Sequence, residues 1–132
     1  MKWILLIALL LIAAGGFLLY LFKPKQRKRT ESIYTHALNA MVRGDTRTAL
    51  KHLRDVVKQD TNHIDAYLQM GDILREEDNA QAAIKIHQSL TVRPNLNNEI
   101  KRDIHQSLAR DFMQIGQLNK AQREAELVLK LD

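Results

Sequence analysis

The chain has 132 residues and no cysteine, which leaves room for one small domain and excludes disulfides, thiolate metal sites and a cysteine nucleophile. Its net charge of +5 invites a nucleic-acid reading, but the charge is local. Lys2, Lys23, Lys25, Arg27, Lys28 and Arg29 supply six positive charges, and the rest of the chain sets fourteen Lys and Arg against fifteen Asp and Glu, so nucleic acid is not an expected partner.

The first element is apolar. Residues 3–22 carry no charge, and twenty helical residues span about 30 Å, the hydrocarbon thickness of a bilayer. Trp3 and Tyr20 stand near its two ends, where amphipathic rings favour the interface. A cleaved signal peptide is the rival reading, with Ala13, Ala14, Gly15 and Gly16 as small residues for cleavage. Cleavage there would leave an apolar run, residues 17–22, at the new N-terminus, which favours an uncleaved anchor. Pro24 is expected to end this helix.

The basic run follows. Lys23, Lys25, Arg27, Lys28 and Arg29 fix the orientation by the positive-inside rule: N-terminus outside, the remainder cytoplasmic. They should also sit against anionic headgroups, at about 1 kcal/mol per residue. The chain thus divides into a transmembrane anchor at 1–22, a basic juxtamembrane linker at 23–29 and a folded unit at 30–132.

From Thr30 onward apolar residues recur at three- and four-residue spacing, the mark of helices, with no strand-like alternation. Turn signals interrupt at Arg43-Gly44-Asp45, Asp60-Thr61-Asn62, Asp78-Asn79, Pro94-Asn95 and Gly116-Gln117. The turns at Gly44, Asp78 and Gly116 place three segments in register. Seven residues upstream stand Ala37, Gly71 and Ala109, and five downstream Ala49, Ala83 and Ala121. Twelve downstream stand Val56, Leu90 and Val128. The period is therefore 34 residues and then 38, which predicts three stacked helix pairs, 30–63, 64–97 and 98–132. Small residues let the helices of a pair approach. Asp45 and Asn79 are expected to cap second helices, and Asn62 with Asp65 resembles a capping box. The four extra residues fall around 96–101 and should lengthen the third unit's first helix, with Asn97 or Asn98 as cap. The fold class is all-α.

This spacing is similar to the tetratricopeptide repeat. The first-helix aromatic is present as Tyr67 but is replaced by Ile33 and His105 in the other units. Together with the apolar anchor and the basic run, the order of parts resembles the bacterial lipopolysaccharide assembly protein B family. Three stretches carry the resemblance: Ala66-Tyr67-Leu68-Gln69-Met70-Gly71-Asp72-Ile73-Leu74-Arg75, Ala83-Ile84-Lys85-Ile86-His87-Gln88-Ser89-Leu90 and Leu108-Ala109-Arg110-Asp111-Phe112-Met113. The resemblance implies a regulatory adaptor at the inner membrane that couples a lipid A biosynthetic deacetylase to the membrane protease that degrades it. Members usually carry more repeats and a C-terminal rubredoxin-like zinc domain, and neither is present here. The chain is thus expected to be a fragment or a short relative.

Partner contacts are expected along the concave face formed by the first helices. That face should present Tyr34, Leu38, Met41 and Val42, then Leu68, Asp72, Arg75 and Glu76, then Gln106, Arg110, Met113 and Gln114. Leu127, Val128, Leu129 and Leu131 should leave an apolar face on the last helix, open to self-association or to a partner. The five histidines have no metal-ligand spacing and read as packed or surface residues. No cofactor, no catalytic residue and no enzyme activity is expected. Two other readings share this sequence: a generic envelope-assembly or secretion scaffold, including a periplasmic one, and a self-assembling structural protein.

Overall fold

The computed structural model describes residues 2–131, apart from the side chains of residues 23–25. Those residues fold into six helices and no strand: α1 (Lys2–Val42), α2 (Thr46–Gln59), α3 (Ile64–Glu76), α4 (Ala80–Thr91), α5 (Asn98–Gln114) and α6 (Leu118–Lys130). Each of the five expected turns falls between two helices. The three turns within pairs share one conformation, with a residue in the left-handed region at equivalent positions: Gly44 (φ 73°), Asp78 (φ 60°) and Gly116 (φ 74°). Glycine adopts this at no steric cost, and aspartate tolerates it better than most side chains.

Helix starts follow local chemistry. Asp45 accepts a hydrogen bond from the Thr48 N–H at 3.1 Å, Asn79 from Ala82 at 3.3 Å and Asn97 from Ile100 at 2.8 Å. Each satisfies a donor that the first turn leaves unpaired. The inserted residues lengthen α5 to 17 residues against 13 in α3. The α3 cap differs from the expected one. Asn62 is drawn into the turn, where its N–H donates to Asp60 Oδ1 at 2.9 Å. His63 caps instead, with Nδ1 accepting from the Ala66 N–H at 3.2 Å.

The second difference lies at Pro24. The helix does not end there but runs unbroken from Lys2 to Val42. Proline removes one backbone donor without forbidding helical φ, and the helical residues on each side, 2–23 and 25–42, keep their own ladders. The apolar anchor and the first helix of the first pair are therefore one rod. Its apolar part is long enough to cross a membrane, and no side chain in residues 2–22 is buried against the rest of the protein.

The array buries two apolar clusters. The first joins Ala37, Ala40, Ala49, Leu53 and Val56 to Ala66 and Ile73. The second joins Leu68, Ile84 and Leu90 to Ile104, Leu108, Phe112 and Ala121. Each cluster spans a pair boundary, so neither pair could bury its share alone. On α6 only Ala121 is buried.

Candidate functional site

Residues from the first helices of the three pairs come together on one face of the array. A shallow cleft of about 210 Å³ lies there. Tyr34 comes from α1, Asp65, Leu68, Gln69 and Asp72 from α3, and Asp103, Gln106, Ser107 and Arg110 from α5. Of the residues singled out from sequence, Tyr34, Leu68, Asp72, Gln106 and Arg110 are brought together in it. The lining is polar, and no ion pair holds Asp65, Asp103 or Arg110 among the described residues. Tyr34 packs its ring against His63 at 4.5 Å. Burial first, and then the nearby charges of Asp65 and Glu31, raise its hydroxyl pKa above the ordinary tyrosine value.

The other expected contacts separate from this cleft. Met41 packs against the first apolar cluster. Leu38, Val42 and Met113 are exposed, with Val42 at 88%. The side chain of Arg75 is only 12% exposed and faces inward, so it is not free on the partner face as expected. It is held by a buried network that sequence reasoning missed. Arg75 Nη1 donates to Asp72 Oδ1 at 2.6 Å and to Asp111 Oδ1 at 3.1 Å. Asp111, fully buried, also lies 2.6 Å from His87 Nδ1. His87 Nε2 lies 3.3 Å from the Leu68 carbonyl oxygen. The Ser107 hydroxyl donates to Asp72 Oδ1 at 3.2 Å. Burial opposes the charge on Arg75, but hydrogen bonds and charge from Asp72 and Asp111 more than offset it and hold its pKa above the ordinary value.

This network joins α3, α4 and α5, and Asp72 links it to the cleft. It also explains the smallest residue of the second pair. A Cβ on Gly71 would lie 2.2 Å from His87 Nε2, so the histidine needs a glycine opposite it. The available signal was the coincidence of a glycine and a histidine at inward-facing positions of paired helices.

At the membrane end, Gln26 Nε2 donates to the Gln59 carbonyl oxygen at 3.3 Å, tying α2 to the rod. Thr30 is buried beside Gln59. Arg27, Lys28 and Arg29 are exposed on the rod, whereas the side chains of Lys23 and Lys25 lie outside the described residues. On α6, Leu127 is 38% exposed, and Val128 and Leu131 are half-buried. Leu129 is the most open large apolar side chain there at 73%. No group of three or more histidine or acidic residues with metal-holding geometry occurs among the described residues.

Over most of its length the chain is homologous to lipopolysaccharide assembly protein B. It is 28% identical to that protein from Escherichia coli K12 over 100 residues, which cover 76% of this chain and 26% of the relative. It is 27% identical to the Haemophilus influenzae protein of the same name, covering 89% of this chain and 33% of the relative. The chain thus spans a quarter to a third of the length of these lipopolysaccharide assembly proteins. No protein-family model matches it. Two crystal structures of MamA, a tetratricopeptide-type protein, superpose on 77% of the chain with a TM-score of 0.67 and 16% identity, over 54% and 57% of their own lengths. That likeness is one of fold. The fold is a tetratricopeptide-type α-solenoid preceded by an apolar helix, and with the likeness to lipopolysaccharide assembly protein B it fits a single-pass inner-membrane protein.

Proposed function

We propose that this protein is an inner-membrane adaptor with cytoplasmic repeats, which holds partner proteins of lipopolysaccharide synthesis beside the bilayer and catalyses nothing itself. The homology to lipopolysaccharide assembly protein B carries this reading. The polar cleft across three first helices supports it, because such a surface suits an extended or helical segment of another protein. The two partners are a lipid A biosynthetic enzyme and a membrane protease, brought together on one array. The orientation, N-terminus outside, rests on Arg27, Lys28 and Arg29 with Lys23 and Lys25 beyond the apolar span.

The test is recovery of partners with the tagged full chain from solubilised membranes, alongside Asp103→Lys and Arg110→Glu. The reading expects the enzyme or the protease with the native chain, and about tenfold less with the charge-reversed chains if binding loses roughly 1.4 kcal/mol. Equal recovery by all three chains, or no recovery of either protein, would contradict it. A second reading, self-association, is favoured by the open Leu127 and Leu129 on α6, and recovery of only the chain itself would support it.

A further inference from the structure

The three first helices carry a carboxylate at the same repeat position. Glu31, Asp65 and Asp103 each stand thirteen residues before the turn of their pair, at Gly44, Asp78 and Gly116. All three are exposed, and among the described residues no ion pair holds any of them. Asp65 and Asp103 line the polar cleft. Glu31 is close to it, because its charge, with burial and the charge of Asp65 ahead of it, raises the pKa of the Tyr34 hydroxyl in that cleft.

Helix stability accounts for only one of the three. Asp65 sits in the first turn of α3, where a negative charge favours the helix dipole. Asp103 is past the first turn of α5, and Glu31 lies deep inside α1, where that benefit has faded. Nearby bases leave the centre of the row uncompensated. Arg27 and Lys28 stand one turn before Glu31 and offset it alone. Arg102 precedes Asp103, and successive residues on a helix do not face each other. Arg110 is seven residues beyond Asp103, about 10 Å along the helix, so it bounds the row without neutralising it.

The spacing of the two open carboxylates sets the form of what they hold. Helices α3 and α5 pack on one another, and packed helices stand about 8–10 Å apart. That step equals roughly three residues of extended chain at about 3.3 Å each. Gln69 and Gln106, one turn further along the same helices, add side-chain amides to the lining, and an amide both donates to and accepts from a peptide backbone.

We propose that this cleft docks an extended basic segment of a partner protein. Two lysine or arginine residues about three positions apart meet Asp65 and Asp103, and the amides of Gln69 and Gln106 take the backbone between them. Arg110 takes a carbonyl or carboxylate at the far edge of the segment. The inference rests on the docking role proposed for the cleft and adds the chemistry of what is docked.

The test is selection of phage-displayed random dodecapeptides on the full chain, held in a nonionic detergent so that no anionic lipid competes for basic peptides. Selected peptides are then titrated by fluorescence anisotropy. The expected result is enrichment of two basic residues about three positions apart. Their affinity should fall about tenfold in the double variant Asp65→Asn, Asp103→Asn, the size of two exposed charge pairs. It should hold in Glu126→Gln, which removes an exposed charge from α6 away from the cleft. Basic peptides that bind equally to a double variant folded by circular dichroism would overturn the proposal. Neutral or acidic peptides whose binding is lost in Gln106→Trp would overturn it too, while leaving the docking role of the cleft intact. No enriched peptide at all would sink that docking role, and this inference with it.

Discussion

At the scale of single residues, the least expected feature is the ionic network inside a small helical array. Asp111 is fully buried, and both of its oxygens are engaged, one by Arg75 and one by His87. Removing one member of such a set leaves the others buried without compensation, so Asp111→Ala is expected to cost about 3–5 kcal/mol in urea unfolding. Asp65, exposed on the cleft rim, should change stability by less than about 0.5 kcal/mol when replaced by alanine. Gly71 gives a second contrast. Gly→Ala in a helix ordinarily stabilises, by up to about 1 kcal/mol. At Gly71 the added Cβ meets the His87 ring, so Gly71→Ala should instead destabilise by about 1–3 kcal/mol. The double variant Gly71→Ala, His87→Ala should recover part of that loss if the ring is the cause. Periodicity showed that positions 71 and 87 face inward. It did not show that α5 would bring Asp111 and α3 would bring Arg75 to the same point, because that meeting depends on how the pairs stack.

At the scale of elements, helix boundaries were legible wherever a single residue controls them. Asp45, Asn79 and Asn97 cap the helices expected of them, since an Asx side chain before an apolar period has one dominant local use. Boundaries that depend on competition were not legible. Asn62 was a good cap candidate, but α3 starts one residue later, so His63 holds the cap position and Asn62 Oδ1 instead accepts from Arg93 at 3.4 Å, and Pro24 was a good stop until strong helix on both sides carried through it. The Asp45 cap makes a pH prediction. Hydrogen bonds from Thr48, side chain first and backbone next, lower its carboxyl pKa below the ordinary aspartate value. A depressed folded value means the cap's contribution is present above the unfolded pKa and lost as pH falls through the folded one. Amide exchange at the start of α2 should therefore quicken as pH drops below about 4, the ordinary aspartate range, after correction for intrinsic rates. Asp45→Ala should show the faster exchange already at neutral pH. On α6, Leu129→Glu should leave stability within about 0.5 kcal/mol while reducing binding of an apolar dye, because that side chain is open to solvent.

At the scale of the whole molecule, the six helices and their order could be read from a 34-residue period and its one interruption. The cleft could be read only in part. Tyr34, Leu68, Asp72, Gln106 and Arg110 were found because first-helix positions repeat, whereas Asp65 and Asp103 repeat at an equivalent position that was not weighed. The continuity of the rod changes what the array is able to do. On the membrane-anchored reading, one helix from anchor to first pair would hold the cleft near the bilayer surface instead of letting it swing on a tether. Partners must therefore come to the membrane, which suits an adaptor between a membrane-bound and a soluble protein. The most direct measurement is site-specific photo-crosslinking in intact cells, with the reactive group at Gln106 in the cleft of the full chain. The adaptor account predicts adducts with a cytoplasmic lipid A enzyme or a membrane protease, and none from Lys85 on the outer face of α4. Adducts with periplasmic proteins alone, or with copies of the chain alone, would contradict it.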